Sequence, residues 1–179
     1  TGRATHSYPN ISQVPNSGSP YGAECRSLFT VPEGWFLVGS DQSGLELRCL
    51  AHFLARLDGG QYAEAVVNGD VHTLNQHAAG LATRAEAKTF IYAWLYGGGD
   101  ELVGNIVGGG DKEGRKIKSR FLKANPSIKE LRNAVVFKAE NEKKLIGLDG
   151  RTIHIRAAFS SLNALLQGAG AVLCKKWIV

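Results

Sequence analysis

Four side chains suited to binding a nucleotide recur at four-residue intervals near the middle of the sequence. They are Arg84, Lys88, Tyr92 and Tyr96. An α-helix turns about 100° per residue, so positions four apart drift by only about 40° and share one slowly winding face. Two cations near a helix N-terminus suit a phosphate chain, and a tyrosine two turns later offers a ring for stacking. The spacing also fits a surface helix with snorkelling cations and half-buried tyrosines.

The same stretch carries the signals of a helix with a buried side. Thr83 is a suitable N-cap, and Glu86 three residues later completes a capping box. The triple glycine 97–99 is expected to end the helix. A second set of side chains can face a core, namely Ala87, Ile91, Trp94 and Leu95.

Asp41 is a candidate metal ligand. The sequence "WFLVGSD", residues 35–41, predicts a short buried strand that ends at this acid. A carboxylate at a strand end, together with the neighbouring carbonyl of Gln42, would supply oxygen ligands of the kind that magnesium prefers. Asp41 would otherwise cap the following helix. Glu46 is either a surface charge or a second polar group of the same pocket.

Most of the remaining chain is predicted to be helical. Residues 1–34 read as extended or looping chain, and apolar spacing predicts a helix over 44–57 that ends at "DGG". Residues 61–80 suit two short helices. The remaining expected elements are a short helix at 100–107, a basic helix at 111–124, a helix with Asn125 as its cap and Pro126 at its first position, a hairpin at 143–156 around an Asp-Gly turn, and a helix at 159–177.

Composition narrows the class of protein. The 179 residues are 44% hydrophobic and 21% charged, which suits a folded domain, and the net charge of +5 favours a polyanionic partner. No apolar run is long enough for a membrane span and no secretory signal opens the chain, so a cytoplasmic protein is expected. Cys25, Cys49 and Cys174 include no CxxC pair and are expected to be reduced and mostly buried.

Several other kinds of site are excluded by spacing. Neither triple glycine is followed by the Gly-Lys-Ser/Thr of a phosphate loop, so 97–99 and 108–110 are expected to stop helices and allow hinging. His72 and His77 lack an HExxH arrangement and a third ligand, which excludes zinc. The spacing of these residue types does not support a Ser-His-Asp catalytic triad.

Five segments, in this order, resemble the DNA polymerase I family, or family-A DNA polymerases, and are most similar to the replicative polymerases of short-tailed phages. They are "TGRATHSYPNISQVP", "DQSGLELRCLAHF", "DVHTLNQHAA", "RAEAKTFIYAWLYG" and "GLDGRTIHIRAAFSSLNALLQGAGA". The resemblance covers almost the whole chain. It implies a mixed α/β, mainly helical palm-and-fingers fragment of a right-hand polymerase with a small antiparallel sheet. Residues 1–60 and 141–179 would belong to the palm and residues 61–140 to the fingers.

The resemblance implies DNA-templated transfer of nucleotides from dNTP to a primer 3′-hydroxyl, with two Mg²⁺ ions as cofactors. Asp41 and the carbonyl of Gln42 would hold metal. Arg84 and Lys88 would bind the β- and γ-phosphates, Lys88 would also assist proton transfer to the leaving group, and His72 would add a phosphate contact.

The remaining implied contacts involve the sugar, the bases and the DNA. Tyr92 would lie beside the deoxyribose and base, in the form that accepts dideoxynucleotides readily. Tyr96 would lie near the template base, and Glu46 would be a steric gate against the ribose 2′-hydroxyl. The expected contacts to primer–template DNA come from Arg3, Asn163 and Gln167.

The sequence lacks a motif that the family pattern includes. The family carries a second metal-binding aspartate in a "His-Asp-Glu" motif, and no His-Asp pair occurs here. The chain also begins with Thr1 rather than Met. We therefore expect a fragment with little or no polymerase activity alone, either a shortened piece of a polymerase or one part of a split enzyme completed by a second polypeptide. For a phage protein the compartment would be the host cytoplasm.

Two alternatives stay open at this point. A single-subunit RNA polymerase shares a metal acid and an Arg–Lys–Tyr helix, although Glu46 argues against ribonucleotides. A non-catalytic nucleic-acid-binding module would also fit the basic charge. A cluster of cations is expected to be a solvated helix face, with attraction of template or nucleotide as its alternative: Lys112, Arg115, Lys116, Lys118, Arg120 and Lys123.

Overall fold

The computed structural model describes residues 2–178, which form two compact units. One unit is Arg3–Ser43, and the other comprises Gly2 and residues 44–178. The first unit is mostly irregular, with a 3₁₀ turn at Ile11–Gln13 and helix α1 at Gly22–Ser27. This agrees with the prediction of little helix before residue 35.

The predicted strand at 35–41 is wrong. These residues have no strand conformation, and Trp35, Phe36, Leu37 and Val38 are 72%, 88%, 72% and 86% exposed. A strand needs a hydrogen-bonded neighbour. Within residues 2–178 the one sheet contains two other segments, so this apolar run has no pairing partner there. Asp41 accordingly lies in irregular backbone.

The second unit is built mainly from helices, as predicted. Its helices are α2 (Leu45–Asp58), α3 (Gln61–Val67), α4 (Val71–Ala79), α5 (Arg84–Leu95), α6 (Asp100–Asn105), α7 (Asp111–Ala124), α8 (Pro126–Glu142) and α9 (Ser161–Ile178). A 3₁₀ turn at Ala158–Ser160 leads into the last of these.

The predicted hairpin is confirmed. Strands β1 (Lys144–Ile146) and β2 (Thr152–His154) pair antiparallel, with Leu145 opposite Ile153. The Asp-Gly turn lies between them, and Gly150 has φ +79°, a left-handed conformation that glycine adopts without a Cβ penalty. The mainly helical fold with a small antiparallel sheet is therefore as the sequence predicted.

The largest core cluster joins α2, α5 and α7. Leu50 and Leu54 of α2 and Phe90 of α5 are fully buried. Phe121 of α7 packs edge-on against Phe90 and Trp94, with ring centroids 5.2 and 5.3 Å apart. Offset and edge-to-face aromatic contacts of this kind stabilise a core beyond the area that they bury. The core therefore anchors the inner side of α5.

Helices α6 and α7 approach closely through glycines. A Cβ on Gly114 would lie 1.8 Å from the Asp100 carbonyl oxygen, and one on Gly104 would lie 2.1 Å from that of Gly110. Lys118 of the basic helix is not a solvated charge, because its ammonium donates to the Gly98 carbonyl at 2.6 Å and to the Asp100 carboxylate at 2.8 Å. This part of the predicted solvated face is a tertiary contact.

Two local predictions need adjustment. Asn125 occupies the N-cap position of α8, but its amide donates to the Phe121 carbonyl at the end of α7 instead of capping α8. All three cysteines are free thiols as expected, but only Cys49 is fully buried, while Cys25 and Cys174 are half-buried.

Among the helices of residues 2–178, none combines the length and apolar character of a membrane span.

Candidate nucleotide-binding site

The α5 stripe, defined as Arg84, Lys88, Tyr92 and Tyr96, lies on the outer side of α5 as its spacing predicted. Both cations are exposed, Tyr92 is half-buried and Tyr96 is 45% exposed. The opposite side is buried, with each side chain at most 7% exposed: Ala87, Ile91, Trp94 and Leu95. One helix thus separates a solvent-facing stripe from a core-facing one.

The start of α5 is fixed by a capping box. The Thr83 hydroxyl accepts from the Glu86 amide at 3.1 Å, and the Glu86 carboxylate accepts from the Thr83 amide at 2.9 Å. These reciprocal bonds satisfy two donors at the helix start that would otherwise lack partners. Arg84, the first residue of the helix, is therefore held at a defined N-terminus with a positive dipole end.

The structure brings His72 to the same surface from α4. Its ring centroid lies 6.3 Å from that of Tyr92, with the ring planes inclined by 50°. The charges of Arg84 and Lys88 both act on its imidazole. The predicted phosphate-binding residues therefore form one cluster at the start of α4 and α5.

Electrostatics favour a neutral His72. Burial, followed by the positive charge of Arg84, lowers its pKa below the usual 6.5, and Lys88 acts in the same direction while Asp70 opposes them. Its Nδ1 is buried and has no hydrogen-bond partner within residues 2–178. Burial and the two neighbouring cations therefore favour the uncharged form of the His72 imidazole.

Asp70 is part of this cluster, and the sequence analysis missed it. Its carboxylate caps α4 by accepting from the amides of His72 and Thr73, and it accepts from Arg84 Nε at 2.7 Å. The hydrogen bond from Arg84 holds the Asp70 pKa well below its usual value. The available signal was an N-cap acid two residues before His72, but the sequence does not show which cation would reach it.

The far end of the stripe meets α2. The Tyr96 hydroxyl donates to Glu46 Oε1 at 3.0 Å. Burial and then the Glu46 charge raise the pKa of the Tyr92 phenol, so that side chain is a neutral donor at pH 7. Glu46 therefore lies beside both tyrosines, while its role in the pocket predicted for Asp41 stays a prediction.

The other predicted residues lie elsewhere in the fold. Asn163 and Gln167 are half-buried one turn apart on α9, so they share a face of that helix. Arg3, Asp41 and Gln42 belong to the unit Arg3–Ser43, where Arg3 and Asp41 are exposed and Gln42 is half-buried. Their roles stay predictions.

The predicted magnesium ligands are of the chemical type that this ion prefers. A carboxylate at Asp41 and a main-chain carbonyl at Gln42 are hard oxygen donors, and Mg²⁺ completes such a set with water and phosphate. No group of three or more His, Cys, Asp or Glu side chains suited to a metal occurs among residues 2–178. The magnesium site at Asp41 and Gln42 therefore stays a prediction.

Comparison with known proteins shows the family to which the chain belongs. A sequence model of DNA polymerase family A matches residues 1–179. The chain is 47% identical over 201 aligned residues to DNA-directed DNA polymerases of Enterobacteria phage T3 and Escherichia phage T7, which covers 100% of this chain and 29% of each relative. The chain belongs to DNA polymerase family A.

A solved structure shares the fold. The POL domain of Pol1 from M. smegmatis, in complex with DNA primer-template and dNTP, superposes with a TM-score of 0.79 over 97% of this chain and 34% of that one, at 21% identity. The chain thus spans about 29% of the length of the phage relatives that it matches. The phage likeness agrees with the resemblance drawn from the sequence, and the family match favours a DNA polymerase over the RNA polymerase alternative.

Proposed function

We propose that this chain is the part of a DNA-directed DNA polymerase that binds the incoming deoxynucleoside triphosphate and contributes to holding primer–template DNA. The observation that carries the proposal is the exposed stripe on α5, which has two cations at the dipole-positive end of the helix and a neutral imidazole beside them. Family membership supplies the reaction class, which is template-directed nucleotidyl transfer.

The phosphates would lie at the start of α5. Arg84 presents a planar guanidinium suited to two phosphate oxygens, while Lys88 one turn later adds a compact charge. His72 would contribute a third donor. Lys88 is also the group proposed to deliver a proton to the departing pyrophosphate, since it faces the same surface.

The sugar and base would lie further along the helix. Tyr92 offers its ring at the half-buried middle of the stripe, and Tyr96 lies at the end where the template base is expected. The Glu46 carboxylate, which accepts a hydrogen bond from the Tyr96 hydroxyl, is the group proposed as the gate against a 2′-hydroxyl. A polar acid fixed in this way would crowd a ribose more than a deoxyribose.

Magnesium is the proposed cofactor, with two ions in the complete enzyme. Asp41 and the Gln42 carbonyl would hold metal, which when bound neutralises phosphate charge and lowers the pKa of the primer hydroxyl. One carboxylate is a weak holder of two dications, because like charges repel and Mg²⁺ dehydrates reluctantly. We therefore infer that this segment has little activity without further metal ligands, which a second polypeptide or a longer chain would supply.

DNA contacts would involve Arg3, Asn163 and Gln167. A pair of polar side chains one turn apart on α9 suits the minor groove, whose acceptors are nearly the same for all base pairs and report geometry more than sequence. The net charge of +5 adds a non-specific attraction to the backbone. With phage relatives, the compartment that this proposal implies is the host cytoplasm.

Calorimetric titration with Mg²⁺ and dATP tests the triphosphate site. Arg84→Ala and Lys88→Ala are each expected to lower affinity by about tenfold or more, since each removes a charge-assisted contact. Lys112→Ala removes an equal charge from an exposed position on α7 and should leave affinity within about twofold. Unchanged affinity in both α5 variants, with DNA binding retained, would favour the non-catalytic module.

Primer extension tests the inferred lack of activity separately. The purified chain is expected to extend a primed template far more slowly than a full-length phage relative under the same magnesium concentration. Robust magnesium-dependent extension by the chain alone would contradict this inference and would leave the triphosphate site unaffected.

A further inference from the structure

Asp70 joins the two helices that carry the phosphate-binding cluster. Its Oδ1 accepts from the His72 amide at 3.1 Å, and its Oδ2 accepts from the Thr73 hydroxyl at 2.8 Å and from Arg84 Nε at 2.7 Å. Both carboxylate oxygens are therefore used: Oδ1 binds the start of α4, and Oδ2 is shared between Thr73 of α4 and Arg84, the first residue of α5. A single acid thus links the helix that carries His72 to the guanidinium of Arg84.

We propose that Asp70 is a positioning residue that orients Arg84 for the triphosphate, an inference that rests on the proposed function. The bond to Asp70 uses Nε, on the side of the guanidinium, and this differs from the end edge formed by the two terminal amino groups. Terminal amino groups bind phosphate oxygens in the forked geometry that distinguishes arginine from lysine. Asp70 thereby selects which edge of Arg84 meets the ligand.

The exposure of the pair supports a role in orientation. The side chains of Arg84 and Asp70 are 56% and 44% exposed, and ion pairs this open to water add little to stability. A long, exposed arginine otherwise samples many rotamers, and ordering it when a ligand binds costs affinity. Holding Arg84 in place before binding reduces that cost.

Charge alone predicts the opposite effect. A carboxylate beside an anion site repels the anion, so its removal should raise triphosphate affinity if Asp70 acts only through its field or competes for Arg84. If Asp70 positions Arg84, its removal should lower affinity. The sign of the change therefore separates the two roles.

The test compares two aspartates that both accept hydrogen bonds from backbone amides at the start of a helix. Asp70→Ser keeps a capping oxygen for α4 but cannot reach Arg84. Its affinity for Mg²⁺ and dATP is expected to fall by about three- to fivefold, the upper part of the range for an exposed ion pair. The matched control is Asp58→Ser, because Asp58 accepts from the amides of Gly60 and Tyr62 at 2.8 and 3.0 Å at the start of α3. This control loses the same charge and should keep its affinity.

A double-mutant cycle distinguishes positioning from a general structural role. In an Arg84→Ala background, Asp70→Ser should cause no further loss, because the residue through which it acts is gone. Asp70→Asn, which keeps a neutral acceptor for Nε, should recover part of the affinity that Asp70→Ser loses. Urea unfolding of each variant confirms that the compared proteins are folded.

Each contrary result has a distinct meaning. Raised or unchanged affinity in Asp70→Ser, with Arg84→Ala still impaired, would overturn the positioning role and leave the proposed function standing. A loss that persists in the Arg84→Ala background would overturn it too, because Asp70 would then act through the fold of α4. Unchanged affinity in Arg84→Ala and Lys88→Ala would overturn the proposed function and this inference together.

Discussion

His72 lies where a bound anion would change its protonation. The charged groups that face it are Asp70 on its own helix and Arg84 and Lys88 on α5, and the ring of Tyr92 packs nearby. Burial and the two cations keep its pKa below 6.5 in the free chain. A triphosphate would offset both positive charges and raise that pKa towards its usual value, so binding near pH 6.5 should be accompanied by proton uptake at His72.

Calorimetry in two buffers of different ionisation enthalpy measures this uptake. The wild-type chain is expected to take up more protons than His72→Gln when Mg²⁺ and dATP bind at pH 6.5. His77→Gln is the control, because His77 is exposed at the other end of α4. Equal proton uptake by the wild type and His72→Gln would show that His72 does not sense the phosphates.

The residues of the stripe could be predicted because their spacing acts within one helix. The contacts that complete the site could not be predicted in this way. Asp70 reaches Arg84 across 14 positions, and Tyr96 reaches Glu46 across 50. Such pairs depend on how helices pack, and periodicity within one segment carries no information about them.

At the scale of elements, the capping box of α5 supports the position of the stripe. Thr83→Ala should lower the free energy of unfolding by about 1 kcal/mol, the usual cost of losing a side-chain cap. Thr89→Ala alters the same helix, where the exposed hydroxyl donates back to the Ala85 carbonyl, and should change it by less than about 0.5 kcal/mol. Urea unfolding measures both, and equal effects would contradict the special role of the N-terminus.

The close approach of α6 and α7 predicts that a side chain at Gly114 destabilises the fold. Gly114→Ala places a methyl group 1.8 Å from the Asp100 carbonyl oxygen, so the helices must separate. We expect destabilisation of about 3 kcal/mol, at the upper end of overpacking costs. Gly99→Ala meets nothing within 4 Å and serves as the control. Thermal unfolding that ranks the two variants equally would show that this packing is wrong.

Helices and the hairpin were predictable because their signals are local. The box at Thr83, Pro126 at a first turn and the Asp-Gly turn each specify backbone geometry within a few residues. The strand predicted at 35–41 was wrong because a strand also depends on a partner outside the segment. An apolar run becomes a strand only when another segment pairs with it, and no such segment is found among residues 2–178.

At the scale of the molecule, the unit Arg3–Ser43 exposes its apolar segment. Phe36→Ser and Val38→Ser should each change the free energy of unfolding by less than about 0.5 kcal/mol, because both side chains are already in water. Leu50→Ala, at a fully buried position in the core, should cost about 2–5 kcal/mol. Urea unfolding that shows losses above about 1 kcal/mol at residues 36 and 38 would indicate that this segment is buried in solution.

The division into palm parts at 1–60 and 141–179 and fingers at 61–140 stays a prediction. The two compact units divide the chain at residue 43, and the triphosphate cluster lies wholly within the larger unit. That cluster can therefore be tested without assuming how the metal-ligand segment is placed. Because the cluster lies within one unit, triphosphate binding can be measured on this chain by itself.

Amide chemical shifts measured by NMR during titration with Mg²⁺ and dATP test the central claim most directly. We expect the largest changes at the start of α4 and along α5, at residues 70–73 and 83–96, and we expect them to be lost in Lys88→Ala. Changes centred on the exposed cations of α7, or none near α5, would contradict it.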